Sequence, residues 1–330
     1  MAASRPHDHA HDRNHDQDHA HGHGHAHHHD HGHSHDHGHH GHAHASPEDP
    51  RYGLAIGLNV LIVAAEAAGG FVGHSTALIA DAGHNLSDVM GLALAGGALW
   101  LSKRPAAGRR TYGFGKATVL AALANALVLM LVSGGLVLEA VRRLMHPEPI
   151  HAPLVMAVAA IGVVVNTLTA LMFMKNSSHD VNARGAFLHM AGDAAVSVGV
   201  IISAGLIALT GQSWLDPATT LLVVGVIVVG TWGLLRESID LVLDAAPLGA
   251  DLGRIREFLL HGAGVTDVHD LHVWAMSTTE TALTAHLVRP ADDGEDQFRA
   301  GLAEALETRF GVQHATLQIE RARTDHCPEC

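Results

Sequence analysis

Between residue 53 and about residue 235 the chain reads as six apolar blocks, nearly free of Lys and Arg: roughly 53–73, 77–101, 115–138, 153–174, 186–210 and 217–235. A helix rises about 1.5 Å per residue, so about 20 such residues match the ~30 Å hydrocarbon core of a bilayer. Each block is long enough to span. A large soluble helical core would need charged outer faces, yet only 16% of the residues are charged, against about 25% in an ordinary soluble domain. The expected fold class is an α-helical membrane protein, with a six-transmembrane-helix bundle over 51–238.

Basic residues predict the orientation. The connection between blocks 2 and 3 holds Lys103, Arg104, Arg109, Arg110 and Lys116, and that between blocks 4 and 5 holds Lys175 and Arg184. The 1–2 and 5–6 connections carry none; Arg142 and Arg143 after block 3 are the exception, beside Glu139 and Glu148. This balance puts the N-terminus, the even-numbered loops and the C-terminus in the cytoplasm. The first fifty residues contain no apolar stretch of a secretory signal, so block 1 is expected to direct its own insertion.

Those fifty residues hold 19 of the 31 histidines, alternating with Asp, Gly and Ala. With no apolar material for a core, residues 1–50 are expected to be a disordered cytoplasmic tail. An engineered tag would be an uninterrupted run, and the longest here is His27 to His29. Accessory metal collection fits better, since neutral imidazole binds Zn²⁺, Cu²⁺ or Ni²⁺.

After Arg236 the pattern becomes that of a small soluble domain, expected over 239–323. Helical periodicity covers 249–262 and 294–310, and strand-like runs cover 266–276, 279–288 and 313–320. The order αββαβ points to a compact ferredoxin-like α+β domain. A short tail, 324–330, ends in Cys327 and Cys330, the only cysteines. That Cys-x-x-Cys spacing suits a metal pair in a reducing compartment better than a structural disulfide. The net charge of −13 argues against a nucleic-acid partner.

The chemistry lies in two matched motifs. Block 2 contains Asp81-Ala-Gly-His84-Asn-Leu-Ser-Asp88, and block 5 contains His189-Met-Ala-Gly-Asp193. Residues i and i+4 share one helix face, so each motif offers a nitrogen and a carboxylate together. Two such helices facing one another would surround a point with two His and two Asp, a tetrahedral set suited to Zn²⁺. One copy could be a polar packing contact between helices. Two copies near mid-span need a compensating cation, proton or water path, because a naked carboxylate there costs about 2.5–3.5 kcal/mol. Asp81 shares the face of His84, as an acceptor for its imidazole or part of an entry path; Glu66 in block 1 is a further intramembrane acid, expected to line a wet cavity. A membrane metalloprotease would need His-Glu-x-x-His, and no His-Glu dipeptide occurs in the chain. The expectation is therefore a transporter and not an enzyme.

On the soluble domain's first predicted strand, His269 and His272 are separated by an odd number and fall on opposite faces. A hairpin turning at Ser277-Thr278 would set His269 directly across from His286, within reach of one ion, although Ser-Thr is a poor two-residue turn.

Ala77-Leu-Ile-Ala-Asp-Ala-Gly-His84-Asn-Leu-Ser-Asp88, Arg110-Thr-Tyr-Gly-Phe-Gly, His189-Met-Ala-Gly-Asp193 and Val268-His-Asp-Leu-His-Val-Trp274 together resemble the cation diffusion facilitator family of zinc transporters. The resemblance runs from block 1 to the end of the chain. It implies a six-helix, homodimeric, proton-coupled exporter of divalent metal ions, in a bacterial inner membrane, with Zn²⁺ as substrate and as a regulatory ligand. It also implies transport residues at His84, Asp88, His189 and Asp193, with His84 favouring zinc over a broader range of metals. A regulatory site on the cytoplasmic domain is implied at His269, His286, His314, Glu320, Cys327 and Cys330. The 2–3 loop, Ser102 to Lys116, has neither His nor Asp, so the additional loop site of some members is not expected here.

Overall fold

The computed structural model describes residues 50–174, 181–290 and 294–323. The histidine-rich tail, Cys327 and Cys330 lie outside the described residues. Six long helices come first: α1 (Pro50–Gly73), α2 (Thr76–Ser102), α3 (Ala117–Met145), α4 (Ala152–Met174), α5 (Val181–Thr210) and α6 (Leu215–Val242). Five of them contain a stretch long and apolar enough to cross a membrane: Ile56–Gly73, Ala117–Met145, Ala152–Met172, Phe187–Thr210 and Leu215–Val242. α2 falls short because Asp81, His84, Asn85, Ser87 and Asp88 interrupt its apolar sequence. α5 starts before the predicted block, and α6 runs past it to Val242.

The bundle is inverted relative to a soluble protein. Leu209 (85%), Val229 (78%) and Leu131 (76%) are exposed, whereas Glu66, Asp81, Asn85 and Ser197 are wholly buried. Water would not tolerate such an apolar surface, but lipid does, and ionisable residues in spanning helices face inward. α4 packs on α5 and α3 on α6, while α2 touches α1, α3, α5 and α6. That central placing of α2 brings its polar face against α5.

A buried carboxylate pins the start of α2. Asp216, in the first turn of α6, accepts hydrogen bonds from Ser75 Oγ (2.5 Å), Thr76 N (2.7 Å) and Thr76 Oγ1 (2.8 Å). Thr220 Oγ1 donates to Thr76 Oγ1 at 2.8 Å. Ser75 also caps α2 by accepting from Leu78 N at 3.2 Å. The negative charge therefore sits at two helix N-termini at once, where both dipoles favour it.

The C-terminal part contains α7 (Leu252–Leu260), β1 (Asp267–Ala275), β2 (Thr281–Val288), α8 (Glu295–Phe310) and β3 (Val312–Glu320). Asp251 Oδ1 accepts from Arg254 N at 3.0 Å and starts α7. Gly311, with φ 66°, ends α8 in the left-handed conformation that glycine adopts without strain. The sheet order is β1-β2-β3, with β1–β2 antiparallel and β2–β3 parallel. Ile255, Leu259, Leu302 and Leu306 of the helices cover Val268, Leu283 and Leu287 of the sheet.

The β1–β2 loop meets the start of α3. Thr278 N donates to Thr118 Oγ1 at 3.1 Å. A Cβ on Gly115 would lie 2.7 Å from Met276 O, so only glycine permits this approach. Beside it, Lys116 forms an ion pair with Asp244, just past the end of α6.

Candidate metal sites

α2 and α5 bring His84, Asp88, His189 and Asp193 together, with one ligand atom from each lying within 4.8 Å of all the others. Each imidazole Nε2 faces both carboxylates. His84 Nε2 is 3.7 Å from Asp88 Oδ2 and 3.6 Å from Asp193 Oδ1. His189 Nε2 is 3.3 Å from Asp88 Oδ2 and 3.8 Å from Asp193 Oδ2. Four ligands at about 2.1 Å from a common ion stand about 3.4 Å apart at the corners of a tetrahedron, close to these separations. The two rings cross at 80° with centroids 6.0 Å apart. The carboxylates are the deeper pair: side-chain exposure is 9% for Asp88 and 3% for Asp193, against 22% for His84 and 39% for His189. Two acids this far from water, side by side, call for a balancing positive charge, which a bound cation would supply.

Neighbouring polar residues hold the ligand-bearing helices in place. Asp81 Oδ2 accepts from Ser197 Oγ at 2.8 Å, linking α2 to α5 one turn beyond Asp193. Asn85 Nδ2 donates to Glu66 Oε2 at 3.0 Å, linking α2 to α1. Ser87 Oγ reaches Asn125 Oδ1 of α3 at 3.4 Å. Asp81 and Glu66 stand outside the four-residue group, next to it. Sequence reasoning missed Asn85, Asn125 and Ser197. Ser197 could have been found, since it stands four residues after Asp193 and so on the same face.

A second group lies on the sheet, where His269, His286 and Glu320 have ligand atoms within 4.8 Å of one another. His269 Nε2 is 3.5 Å from Glu320 Oε2, and His286 Nδ1 is 3.1 Å from Glu320 Oε1. The imidazole centroids are 5.2 Å apart. His269 and His286 are directly paired, but not through a two-residue turn at Ser277-Thr278. β1 ends at Ala275, opposite Thr281, and an irregularity between His269 and His272 shifts the register back by one. Asp270 sits in that irregularity with φ 51°. Its Oδ2 lies 3.5 Å from His286 Nε2 and its Oδ1 lies 2.8 Å from His272 Nε2, a neighbour that strand periodicity could not reveal.

His314 does not join this group. It pairs with Ala282 at the far end of the sheet and is exposed, whereas Glu320 pairs with Val288. The two are six positions apart along β3, about 20 Å at 3.3 Å per residue. Among the described residues the group therefore consists of histidines from two strands and the carboxylate of the third. Replacing Glu320 by alanine is expected to remove one bound Zn²⁺ per chain in equilibrium dialysis of a tail-deleted protein, with the remaining ion unaffected.

The comparisons with known proteins agree with this architecture. Residues 54–243 match the cation efflux transmembrane domain, and residues 247–322 match the cytoplasmic domain of cation efflux proteins. The cation efflux system protein CzcD of Alcaligenes sp. is 36% identical over 270 residues, covering 82% of this chain and 85% of its own. The zinc transporter ZitB of Escherichia coli is 34% identical over 279 residues, covering 84% and 88%. The cadmium, cobalt and zinc/H(+)-K(+) antiporter of Bacillus subtilis is 32% identical over 270 residues, covering 79% and 85%. The chain belongs to the cation efflux family of integral membrane transporters: a helical transmembrane domain followed by a cytoplasmic domain with a small sheet. The family's members are transporters, not enzymes.

Proposed function

We propose that this chain exports Zn²⁺ from the cytoplasm in exchange for protons, holding the ion on His84, Asp88, His189 and Asp193 while the helices present it alternately to the two sides. The observation that carries this reading is the convergence of two imidazoles and two carboxylates from two helices, with ligand atoms within 4.8 Å of one another and both carboxylates buried. The relatives named as zinc transporters and as a zinc/H(+)-K(+) antiporter support it. Ligands bind metal only when deprotonated, so entry of Zn²⁺ displaces protons and their return expels the ion. Rocking about a midplane site is a general transporter solution.

In this reading all six long helices span, α2 included, since its polar residues face the bundle and its remainder is apolar. The N- and C-termini are cytoplasmic, in a bacterial inner membrane, as the distribution of Lys and Arg favours. The domains run 1–50, 51–238, 239–323 and 324–330, and the third is a ferredoxin-like αββαβ unit through which two chains form a homodimer. His269, His286 and Glu320 hold a regulatory Zn²⁺, which Cys327 and Cys330 complete from outside the described residues.

The test is metal-dependent proton flux in liposomes, with Zn²⁺, Co²⁺, Cd²⁺ and Mn²⁺ compared in parallel. Zinc should evoke the largest flux, and many ions should move per dimer. Movement of only one or two would make the protein a membrane metal sensor. The histidine-rich tail acts as an accessory collector: deleting residues 1–45 should leave the maximal transport rate unchanged and weaken the response at low zinc. Complete loss of transport in that deletion would overturn the accessory role.

A further inference from the structure

One fully buried ionisable residue has no part in the transport scheme above beyond its bond to Asn85. Glu66, on α1, is 0% exposed and stands outside the four ion-facing residues. Its Oε2 accepts from Asn85 Nδ2, while its Oε1 accepts no hydrogen bond. That second oxygen is turned toward Gly162 of α4, where a Cβ would stand 2.8 Å from Oε1 and 3.3 Å from Ser197 Oγ. Glu66, Asn85, Gly162, Ser197 and Asp81 therefore make one packet at the junction of α1, α2, α4 and α5. The packet adjoins the metal-binding group without sharing a residue with it: Asn85 follows His84, and Ser197 is one turn beyond Asp193.

The ionisable neighbours that act most strongly on Glu66 are acidic, Asp81 from α2 and Asp193 from α5. α4 contains no ionisable side chain. A carboxylate so enclosed, with a single amide donor and like charges as neighbours, has no salt-bridge partner among the described residues. Two more buried polar side chains stand on the same two helices, α1 and α4. Asn59, seven residues earlier on α1, and Asn166, four residues beyond Gly162 on α4, are both buried, with Asn59 Oδ1 and Asn166 Nδ2 lacking a hydrogen-bond partner. Asn59 lies on the N-terminal side of Glu66 and Asn166 on the C-terminal side of Gly162, toward the same end of the bundle, and unpartnered buried amides of this kind are where water is held.

We propose that Glu66 carries a counter-transported proton, in a compartment separate from the metal ligands. This rests on the antiport reading above. The O–H bond on Glu66 breaks when Zn²⁺ enters the adjoining group, because a dication and a bound proton repel each other strongly in a low-dielectric interior. The proton leaves past Asn59 and Asn166. The bond re-forms with a proton taken from the opposite side after the metal has gone, so one proton per chain crosses in each cycle and no other bond changes.

The test uses the full chain in proteoliposomes and two assays, isotopic zinc exchange at equal pH and zinc accumulation driven by a pH gradient. Glu66→Gln should keep exchange within twofold of the wild type and lose at least tenfold in gradient-driven accumulation and in zinc-evoked proton flux. Glu66→Asp, which retains a carboxyl group, should recover part of both. Unchanged proton flux per zinc in E66Q would overturn the proposal, as would equal loss of exchange and accumulation in a folded protein. Should E66Q fail to fold, infrared difference spectra of the wild type decide: zinc should remove a protonated-carboxyl C=O band, and its persistence would overturn the proposal. Asp88→Ala is run alongside. Surviving exchange in that variant would sink the four-residue metal site itself, a failure distinct from that of Glu66.

Discussion

Asp88→Ala and Asp193→Ala should each reduce zinc uptake into inside-out vesicles by at least a factor of about 100. The loss of a group one step removed from a metal commonly costs about 10–100-fold in affinity, and these carboxylates would touch the ion. Each also faces both imidazoles, at separations of 3.3 to 3.8 Å. Removing one leaves three ligands and leaves a dication balanced by a single negative charge in a site whose acids are almost wholly enclosed. Asparagine at either position keeps the shape and loses the charge, so D88N and D193N should fail nearly as badly. Transport retained in either alanine variant would mean that the ion takes another path.

Asp216→Ala should strongly destabilise the helical bundle. Asp216 accepts from Ser75 Oγ, Thr76 N and Thr76 Oγ1, and hydrogen bonds to a charged group contribute about 1.5–3 kcal/mol each. Alanine strands the Thr76 amide and two hydroxyls in a buried place. A loss of several kcal/mol follows, read as a lower unfolding midpoint in detergent. Because α2 bears His84 and Asp88, zinc binding should weaken together with the fold. A midpoint within a degree or two of the wild type would show that the clamp contributes little.

How much of this could be read from the sequence depends on the range of the interaction. Local periodicity located the helices and strands to within a few residues, because an apolar run of spanning length or a Val- and Leu-rich strand is legible without its neighbours. The exceptions were ends: α3 continues to Met145 and α6 to Val242, through residues too polar for a lipid-facing pattern. His84 with Asp88, and His189 with Asp193, are each one helical turn apart, so backbone geometry alone fixes each pair. That the pairs face each other was inferred from duplication and is a tertiary contact. The His269–His286 pairing was reached by the wrong route, since a five-residue loop, Met276–Glu280, and a bulge at Asp270 offset one another. His314, implied by the family resemblance, stands at the other end of β3 from Glu320, because strand membership says nothing of which end of a strand meets a given neighbour. The Glu66–Asn85 bond, the Ser197–Asp81 bond and the Asp216 clamp join residues 19, 116 and up to 141 positions apart. No spacing rule reaches that far.

The central claim is that two imidazoles and two carboxylates from α2 and α5 hold a single ion. Zinc X-ray absorption on a tail-deleted protein lacking His269, His286, Glu320, Cys327 and Cys330 tests it most directly. The expected result is one tightly bound Zn²⁺ per chain, surrounded by four nitrogen or oxygen atoms at about 2.0–2.2 Å, and lost in Asp88→Ala. Failure to bind a stoichiometric ion in that background, or the same spectrum persisting in Asp88→Ala, would contradict the account.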